Sequence, residues 1–158
     1  MANKQTSNYE LNQIAEIKVS YDPKYEPSER WQVRSSDDAY NLFRTVWDND
    51  SISFQEEFLI AYLNRSNQVL GIYRHAKGTE KACLISVKQV LAVAIKANAS
   101  GLIIAHNHPS SSLLPSDQDV NLTKVIRQAS EVFDLTLLDH LILRKEEGFY
   151  SFADDGII

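Results

Sequence analysis

The chain has 158 residues, a formal net charge of −5 and a hydrophobic content of 44%. These values predict a globular domain that is long enough to bury a core. The acidic balance disfavours nucleic acid as the default partner, because proteins that bind DNA phosphates usually carry a basic face.

The single cysteine, Cys83, excludes an internal disulfide and indicates a reducing compartment. Its side chain is predicted to be a small buried hydrophobic group. No apolar run approaches the ~18 residues of a membrane span, and the N-terminal "MANKQTSNYELNQ" lacks the apolar centre of a signal peptide. We therefore predict a cytoplasmic protein with no membrane association.

The front of the chain predicts one strand and one helix. Residues 1–12 are polar and expected to be frayed. Residues 14–21 alternate as a strand does, and residues 22–30 form a proline-containing loop. A helix is expected to begin with Ser36 as its N-cap, and its apolar stripe would consist of Leu42, Phe43, Val46 and Trp47.

The middle of the chain predicts a hairpin and a second helix. The runs "EEFLIAYLN" and "QVLGIYRH" are two strands joined by the turn "NRSN", and "ACLI" (82–85) is a short third strand. Ser86 followed by Gln89 is typical of a capping box. The buried face of this helix would consist of Val90, Leu91, Ala94 and Ile95.

The last third predicts two buried strands around a third helix. "GLIIA" (101–105) and "LTLLDHLIL" are apolar runs of the kind that is covered on both faces, and "RKEEG" turns the chain into "FYSFA". The whole order predicts an α/β fold with a mixed central sheet flanked by helices. The helix, over about 117–133, carries Leu122, Val125, Ile126, Ala129, Val132 and Phe133 at helical spacing.

Two of the four histidines, His106 and His108, end an apolar strand in "LIIAHNHPSSSLLPSDQD". Residues two apart on an extended chain point to the same side, so both imidazoles can face one point. Asp119, at the next helix start, can add an oxygen. Two histidines and one carboxylate leave one tetrahedral position open, which is the arrangement of catalytic zinc sites. The pattern favours a zinc site.

Two simpler interpretations of these residues stay open. Ser116 with Asp119 also fits an N-cap with an acidic third residue, and helix capping alone would explain that pair. Capping and metal binding are compatible, because a cap can fix the position of a ligand. An isolated His-x-His often has no function, but its combination with the strand, the loop and Ser-x-x-Asp favours metal.

The segment "AHNHPSSSLLPSDQD" resembles the JAMM motif of JAB1/MPN domains, in which His-x-His is followed by a spacer and Ser-x-x-Asp. It is most similar to the bacterial RadC-like branch. The similarity continues in "EEFLIAYLNRSNQVLG", in "KGT" (77–79), and in "LLDHLIL" with "FYSFADDG", and it covers about residues 53–158. It implies a JAB1/MPN-like, cytidine-deaminase-like three-layer architecture. The expected division is an N-terminal extension over 1–50 and a metallohydrolase domain over 51–158.

The resemblance also implies roles for single residues. His106, His108 and Asp119 would hold Zn²⁺, and Ser116 would hydrogen-bond near the reacting oxygen. The family uses a glutamate from an early strand as the general base, and Glu56 matches its Glu-x-Phe pattern.

Glu57 is the alternative base if the register differs by one residue. Strand parity separates the two, because Glu56 shares a face with Phe58 and Glu57 shares the other with Leu59. Without the resemblance, the pair "EE" would be interpreted as a solvated strand start.

The other two histidines are predicted to be structural. His75 ends a hairpin strand and is expected at the surface. His140, inside the apolar strand "LLDHLIL", is expected to be a core histidine satisfied by a hydrogen bond, with a role behind a metal ligand as the alternative.

The chain departs from the family pattern in three places. Ser111 stands where the loop usually has glycine, and Ser86-Val87 replaces a common His-Pro before the central helix. No helix-hairpin-helix segment like that of longer members is recognised in residues 1–50. The last departure and the pI of about 5.3 weaken the DNA-repair label of the family.

Three functions are therefore expected, in decreasing order of support. The first is a zinc hydrolase of the JAMM metalloprotease type that acts on a peptide or isopeptide bond of a protein substrate. The second is a metal-dependent nuclease or DNA-processing factor, which would require a positive groove. The third is a non-catalytic MPN scaffold. A zinc deaminase is excluded, because its His-x-Glu and Pro-Cys-x-x-Cys elements are absent from the sequence.

Overall fold

The computed structural model describes residues 26–80 and 83–158. The predicted strand over 14–21 and the predicted frayed segment over 1–12 lie outside these residues. The described part opens with a short 3₁₀ turn, Pro27–Glu29, within the predicted loop.

The described strands form one mixed five-stranded sheet. The strands are β1 Glu57–Leu63, β2 Val69–Lys77, β3 Gly101–Asn107, β4 Thr136–Leu143 and β5 Phe149–Ser151. Their order in the sheet is β2-β1-β3-β4-β5, and only β3 and β4 run parallel to each other. Strands β1 and β3 are buried along their whole length, as their apolar runs predict.

Three α-helices in the described residues cover the two faces of this sheet: α1 Ser36–Val46, α2 Val87–Lys96 and α3 Asp117–Glu131. One face of β1 packs with α1, and the other face packs with α2 and α3. This division follows from strand alternation, since successive residues of β1 point to opposite sides. The predicted α/β class, with a mixed sheet between helical layers, is confirmed.

The structure corrects two details of the predicted elements. Ser35, and not Ser36, caps α1, because the Ser35 hydroxyl oxygen accepts a hydrogen bond from the Asp38 N–H. Residues 83–85 form no strand. Cys83 and Ile85 pack against the α2 and α3 side of the core without a ladder partner, while Leu84 points outwards.

The helical pattern also predicted more buried side chains than the structure contains. Of the capping box predicted at α2, the Ser86 half is confirmed, since the Ser86 hydroxyl accepts from the Gln89 N–H, while the Ser86 N–H donates to His75 instead of Gln89. However, α3 ends at Glu131, and the two apolar residues that follow it directly are exposed. The predicted core residues that are instead exposed are Ile95, Val125, Val132 and Phe133.

No helix in the part of the chain described here is long and apolar enough to cross a membrane.

Candidate metal centre

The crossover from β3 through α3 to β4 builds the site. His106 lies at the end of β3, and His108 follows where the chain leaves the sheet. Asp119 lies in the first turn of α3. Ligand sites in α/β sheets commonly occur where strands end and the following helix begins. The three side chains that the sequence placed together therefore meet at this edge.

Their ligand atoms face one point. His106 Nε2 lies 2.9 Å from His108 Nε2. Asp119 Oδ1 lies 3.2 Å from His106 Nε2, and Asp119 Oδ2 lies 3.5 Å from His108 Nε2. These three residues form a group that can hold a metal ion.

The chemistry of the donors fits a cation. His108 Nδ1 lies 2.9 Å from the carbonyl oxygen of Ser112. A carbonyl only accepts, so Nδ1 carries a proton, and Nε2 of the neutral ring presents its lone pair to the centre. Two nitrogens and a carboxylate this close repel one another unless positive charge lies between them. A metal ion or a proton has to supply that charge.

The position of Asp119 is fixed by the helix cap. The backbone N–H and the hydroxyl of Ser116 both donate to Asp119 Oδ2, at 2.7 and 2.6 Å, and the Asp119 N–H donates back to the Ser116 hydroxyl. The capping box predicted for this pair is confirmed. Burial alone would raise the pKa of Asp119, but the neighbouring His106 and His108 imidazoles and the Ser116 hydroxyl outweigh it and hold that pKa well below its usual range.

The pKa of His108 is shifted in the opposite direction to that of Asp119. The Asp119 carboxylate raises the pKa of His108, and partial burial only reduces this effect. Without a metal ion, a proton on His108 can therefore pair with Asp119.

Glu56 lies in the same cavity as His106, His108 and Asp119. Phe58 of β1 pairs with His106 of β3 in an antiparallel register, so the residue two before Phe58 comes opposite His108 on the same face. Burial raises the pKa of Glu56. Its backbone is held by hydrogen bonds to Thr79 and from Gly78.

Glu57 points to the other side of the sheet. Its carboxylate is fully buried, accepts a 2.6 Å hydrogen bond from the Ser51 hydroxyl, and lies 3.0 Å from the Lys77 ammonium. The Arg74 guanidinium lies 3.5 Å away. These partners make Glu57 a structural ion pair, and the structure places only Glu56 of the two at the cavity.

The cavity around the centre measures about 660 Å³. Its outer wall carries two large apolar side chains, Leu84 at 94% exposure and Leu114 at 78%. Among the described residues that line it, none is Lys or Arg, while Glu56, Glu80 and Asp119 are acidic. The cavity therefore offers apolar surface and negative charge beside a cation site.

The prediction for His140 is confirmed, and its surroundings also connect it to the site. His140 is fully buried and hydrogen-bonded, which confirms a core histidine. Its bonded partner is Nδ1 of His106, 2.8 Å away, so it also lies directly behind a candidate ligand. Full burial lowers the pKa of His140 well below its usual value.

The surface position predicted for His75 is wrong. Its ring is half-buried against Phe58 and Tyr73, and its Nε2 accepts a 3.0 Å hydrogen bond from the Ser86 N–H. Cys83 is only partly buried and lines the cavity; burial raises the pKa of its thiol to about 11, so it stays protonated.

The sequence interpretation missed Asn107, which stands between the two histidines. It is fully buried on the opposite face of β3, and it bonds two backbone carbonyls of the segment before β1 and the backbone N–H of Glu57, the first residue of β1. Strand parity was the available signal, since a polar residue between two cavity-facing positions must point into the core and find partners there.

Fold and site together define an α/β domain of the JAB/MPN type with a His-His-Asp group suited to a metal ion. The model of the RadC-like JAB domain family matches residues 33–157, and the chain belongs to that family.

The chain is similar to UPF0758 proteins of several organisms. A UPF0758 protein of Flavobacterium johnsoniae is 37% identical over 126 residues, which are 80% of this chain and 53% of the relative. UPF0758 proteins of Porphyromonas gingivalis and Aquifex aeolicus are 32% and 33% identical, covering 84% and 82% of this chain and 59% and 54% of the relatives. The chain thus spans little more than half the length of these relatives.

Proposed function

We propose that the protein is a zinc-dependent hydrolase that cleaves a peptide or isopeptide bond in a protein substrate. The observation that carries the proposal is the shared cavity, in which a half-buried carboxylate, Glu56, accompanies the three donors His106, His108 and Asp119. This combination of one acid with a three-donor centre is typical of hydrolytic zinc sites.

Zinc held by His106, His108 and Asp119 would supply acidification of water and polarisation of a carbonyl. Two neutral histidines and one carboxylate are a donor set that suits zinc. The remaining chemistry falls to side chains of the cavity.

Glu56 would act as the general base. Its carboxylate takes a proton from the attacking water and passes it to the leaving amine. The pKa of Glu56, which burial raises, moves toward the pH at which such a base works best. Backbone hydrogen bonds to Thr79 and from Gly78 fix the main chain from which this side chain projects.

Ser116 would contribute mainly through Asp119. Its hydroxyl proton is directed at Asp119 Oδ2, so the hydroxyl orients that carboxylate. To stabilise a reacting oxygen, as the family resemblance implies, the hydroxyl has to turn away from Asp119. That second role stays a prediction.

The charge of the cavity supports a protein substrate over nucleic acid. A phosphodiester substrate needs cations that neutralise its backbone, and the lining described above contains no Lys or Arg. The exposed Leu84 and Leu114 offer apolar contacts in the cavity that contains the centre. We therefore expect an uncharged or basic polypeptide with apolar residues near the cleaved bond.

The first experiment measures zinc content in the purified wild type and in His106→Ala. We expect about one zinc per chain, with loss of the metal in the variant. Hydrolysis is then followed with a library of fluorogenic peptides and with isopeptide-linked peptide pairs. Glu56→Gln should keep the zinc and lose about 10²–10⁴-fold in rate, whereas Glu131→Gln, an exposed site on α3, should match the wild type.

Two results would count against the proposal. A wild type that takes up no zinc after reconstitution would favour a non-catalytic scaffold. A Glu56→Gln enzyme with full activity would exclude Glu56 as the base.

A further inference from the structure

A buried hydrogen-bond chain runs from His106 into α3. His106 Nδ1 lies 2.8 Å from His140 Nε2, and His140 Nδ1 lies 2.6 Å from the Thr123 hydroxyl oxygen. The same hydroxyl lies 2.6 Å from the carbonyl oxygen of Asp119. His106, His140 and Thr123 are all at most 1% exposed, so water does not compete for these bonds.

The hydrogen bond between the Thr123 hydroxyl and the Asp119 carbonyl determines which atom is the donor in each of the other hydrogen bonds. The Asp119 carbonyl can only accept, so the Thr123 hydroxyl must donate its single proton to it. The Thr123 oxygen then accepts, and His140 Nδ1 must be the donor. Full burial without a contacting carboxylate favours a neutral His140 ring, whose Nε2 is then an acceptor. His106 Nδ1 must therefore carry a proton.

We propose that His140 and Thr123 are positioning residues that hold His106 in the Nδ1–H tautomer and thereby keep its Nε2 lone pair directed at the metal. The inference rests on the metal-binding part of the proposed function. Hydrogen-bonded groups behind a histidine ligand set its tautomer and ring orientation in metal sites generally. Here the chain ends on the backbone of Asp119, so one candidate ligand anchors the tautomer of another.

Removal of the Thr123 hydroxyl should reverse the chain. In Thr123→Val, His140 Nδ1–H loses its acceptor in the core. The tautomer of His140 that carries its proton on Nε2 then becomes the more stable one. That proton points at His106 Nδ1, which must then become an acceptor. His106 would carry its proton on Nε2 and donate it to Asp119 Oδ1, which already lies 3.2 Å away. Zinc binding would have to undo this arrangement.

The test combines a spectroscopic and a binding measurement. Long-range ¹H–¹⁵N correlation spectra of histidine-labelled, zinc-free protein at pH 8 report the tautomer of each ring. Zinc affinity is measured by competition with a chromophoric chelator. Thr123→Val removes the hydroxyl at constant shape, and Thr123→Ser restores it. Ser130→Ala is the matched control, because Ser130 has a buried hydroxyl on the same helix and no hydrogen-bond partner for it among the described residues.

We expect Nδ1–H tautomers for His106 and His140 in the wild type and Nε2–H tautomers for both in Thr123→Val. The zinc Kd should rise about 10–100-fold in Thr123→Val, return to within about threefold in Thr123→Ser, and stay unchanged in Ser130→Ala. An Nε2–H tautomer of His106 in the wild type would overturn the inference, as would unchanged zinc affinity in Thr123→Val. A wild type that shows the expected tautomers and binds zinc, but hydrolyses nothing, would overturn the proposed hydrolase and support this inference.

Discussion

The side chain of Asn107 holds the backbone of Glu57, fifty positions earlier in the chain. Asn107 Oδ1 accepts a 2.7 Å hydrogen bond from the Glu57 N–H, and Asn107 Nδ2 donates to the carbonyl oxygens of Ile52 and Gln55 at 2.6 and 2.9 Å. The Gln55 carbonyl and the Glu57 N–H lie on either side of Glu56. The residue between the two candidate histidine ligands thus anchors the segment that carries the proposed base.

Asn107→Ala should lower the free energy of unfolding by about 2–4 kcal/mol, because it leaves three buried backbone groups without their partner. Chemical denaturation of the zinc-free protein measures this loss. Asn121→Ala, at an exposed position of α3, is the control and should stay within about 0.5 kcal/mol of the wild type. A loss below about 1 kcal/mol for Asn107→Ala would mean that the segment before β1 holds itself in place.

Glu56→Gln and Glu57→Gln should change stability in opposite directions. Burial raises the pKa of Glu56 in the folded protein, so the unfolded chain releases the proton first as the pH rises. The ionised carboxylate therefore costs stability at neutral pH, and Glu56→Gln should be more stable than the wild type at pH 7. This gain should vanish below about pH 4, where the carboxyl is protonated in both states.

Glu57→Gln should instead lose about 1–3 kcal/mol, because the buried Glu57 carboxylate pairs with Lys77 and Arg74. Urea unfolding of both variants at pH 7 and pH 4 decides the matter. If Glu56→Gln is the less stable of the two at pH 7, then it is wrong that the Glu56 carboxylate destabilises the fold and the Glu57 carboxylate stabilises it.

Ser111→Gly should stabilise the protein by about 0.5–1 kcal/mol. Ser111 has φ 61°, in the left-handed region. This conformation costs a residue with a Cβ atom roughly 1–2 kcal/mol and is almost free of strain for glycine. The higher chain entropy of glycine in the unfolded state offsets part of the gain. Thermal unfolding checks this, with Ser110→Gly as control: Ser110 lacks a positive φ and should lose stability. Equal effects of the two substitutions would contradict the strain at Ser111.

His75 should lower the stability of the zinc-free protein as the pH is lowered through about 6.5. Burial lowers the pKa of His75, so the unfolded chain takes up the His75 proton before the folded protein does as the pH falls. This uptake lowers the free energy of unfolding. A protonated His75 also cannot accept from the Ser86 N–H at the start of α2. Between pH 8 and pH 5, His75→Gln should show a shallower loss of stability than the wild type. Parallel curves for the two proteins would remove His75 from the acid response.

Much of the site could be predicted from local pattern. The two-residue spacing of His106 and His108 on a strand fixes their common side, and the Ser116 cap fixes the start of α3 and with it Asp119. These rules act over a few residues, which is why the sequence was enough for the three donors. Glu56 was instead proposed from the family resemblance, and strand parity relative to Phe58 only separated it from Glu57.

What failed depends on contacts between distant parts of the chain. The burial of His75 comes from Ser86 and Phe58, neither of which its own strand pattern reveals. Adjacent serines at 35 and 36 both suit an N-cap, and only the backbone of residue 35 decides between them. Apolar residues at helix ends, such as Val132, followed the helical period but lie beyond the point where α3 stops covering the sheet.

The two candidate histidine ligands differ in whether a substitution can remove the group that orients them. His106 depends on the side chains of two other residues, either of which a single codon change can replace. His108 depends on the carbonyl oxygen of Ser112, an atom that every amino acid supplies. In a comprehensive substitution screen that selects for zinc binding, positions 123 and 140 should therefore be intolerant, whereas position 112 should accept most residues that preserve the course of its loop. The identity of the loop residue can drift while the second histidine keeps its orientation.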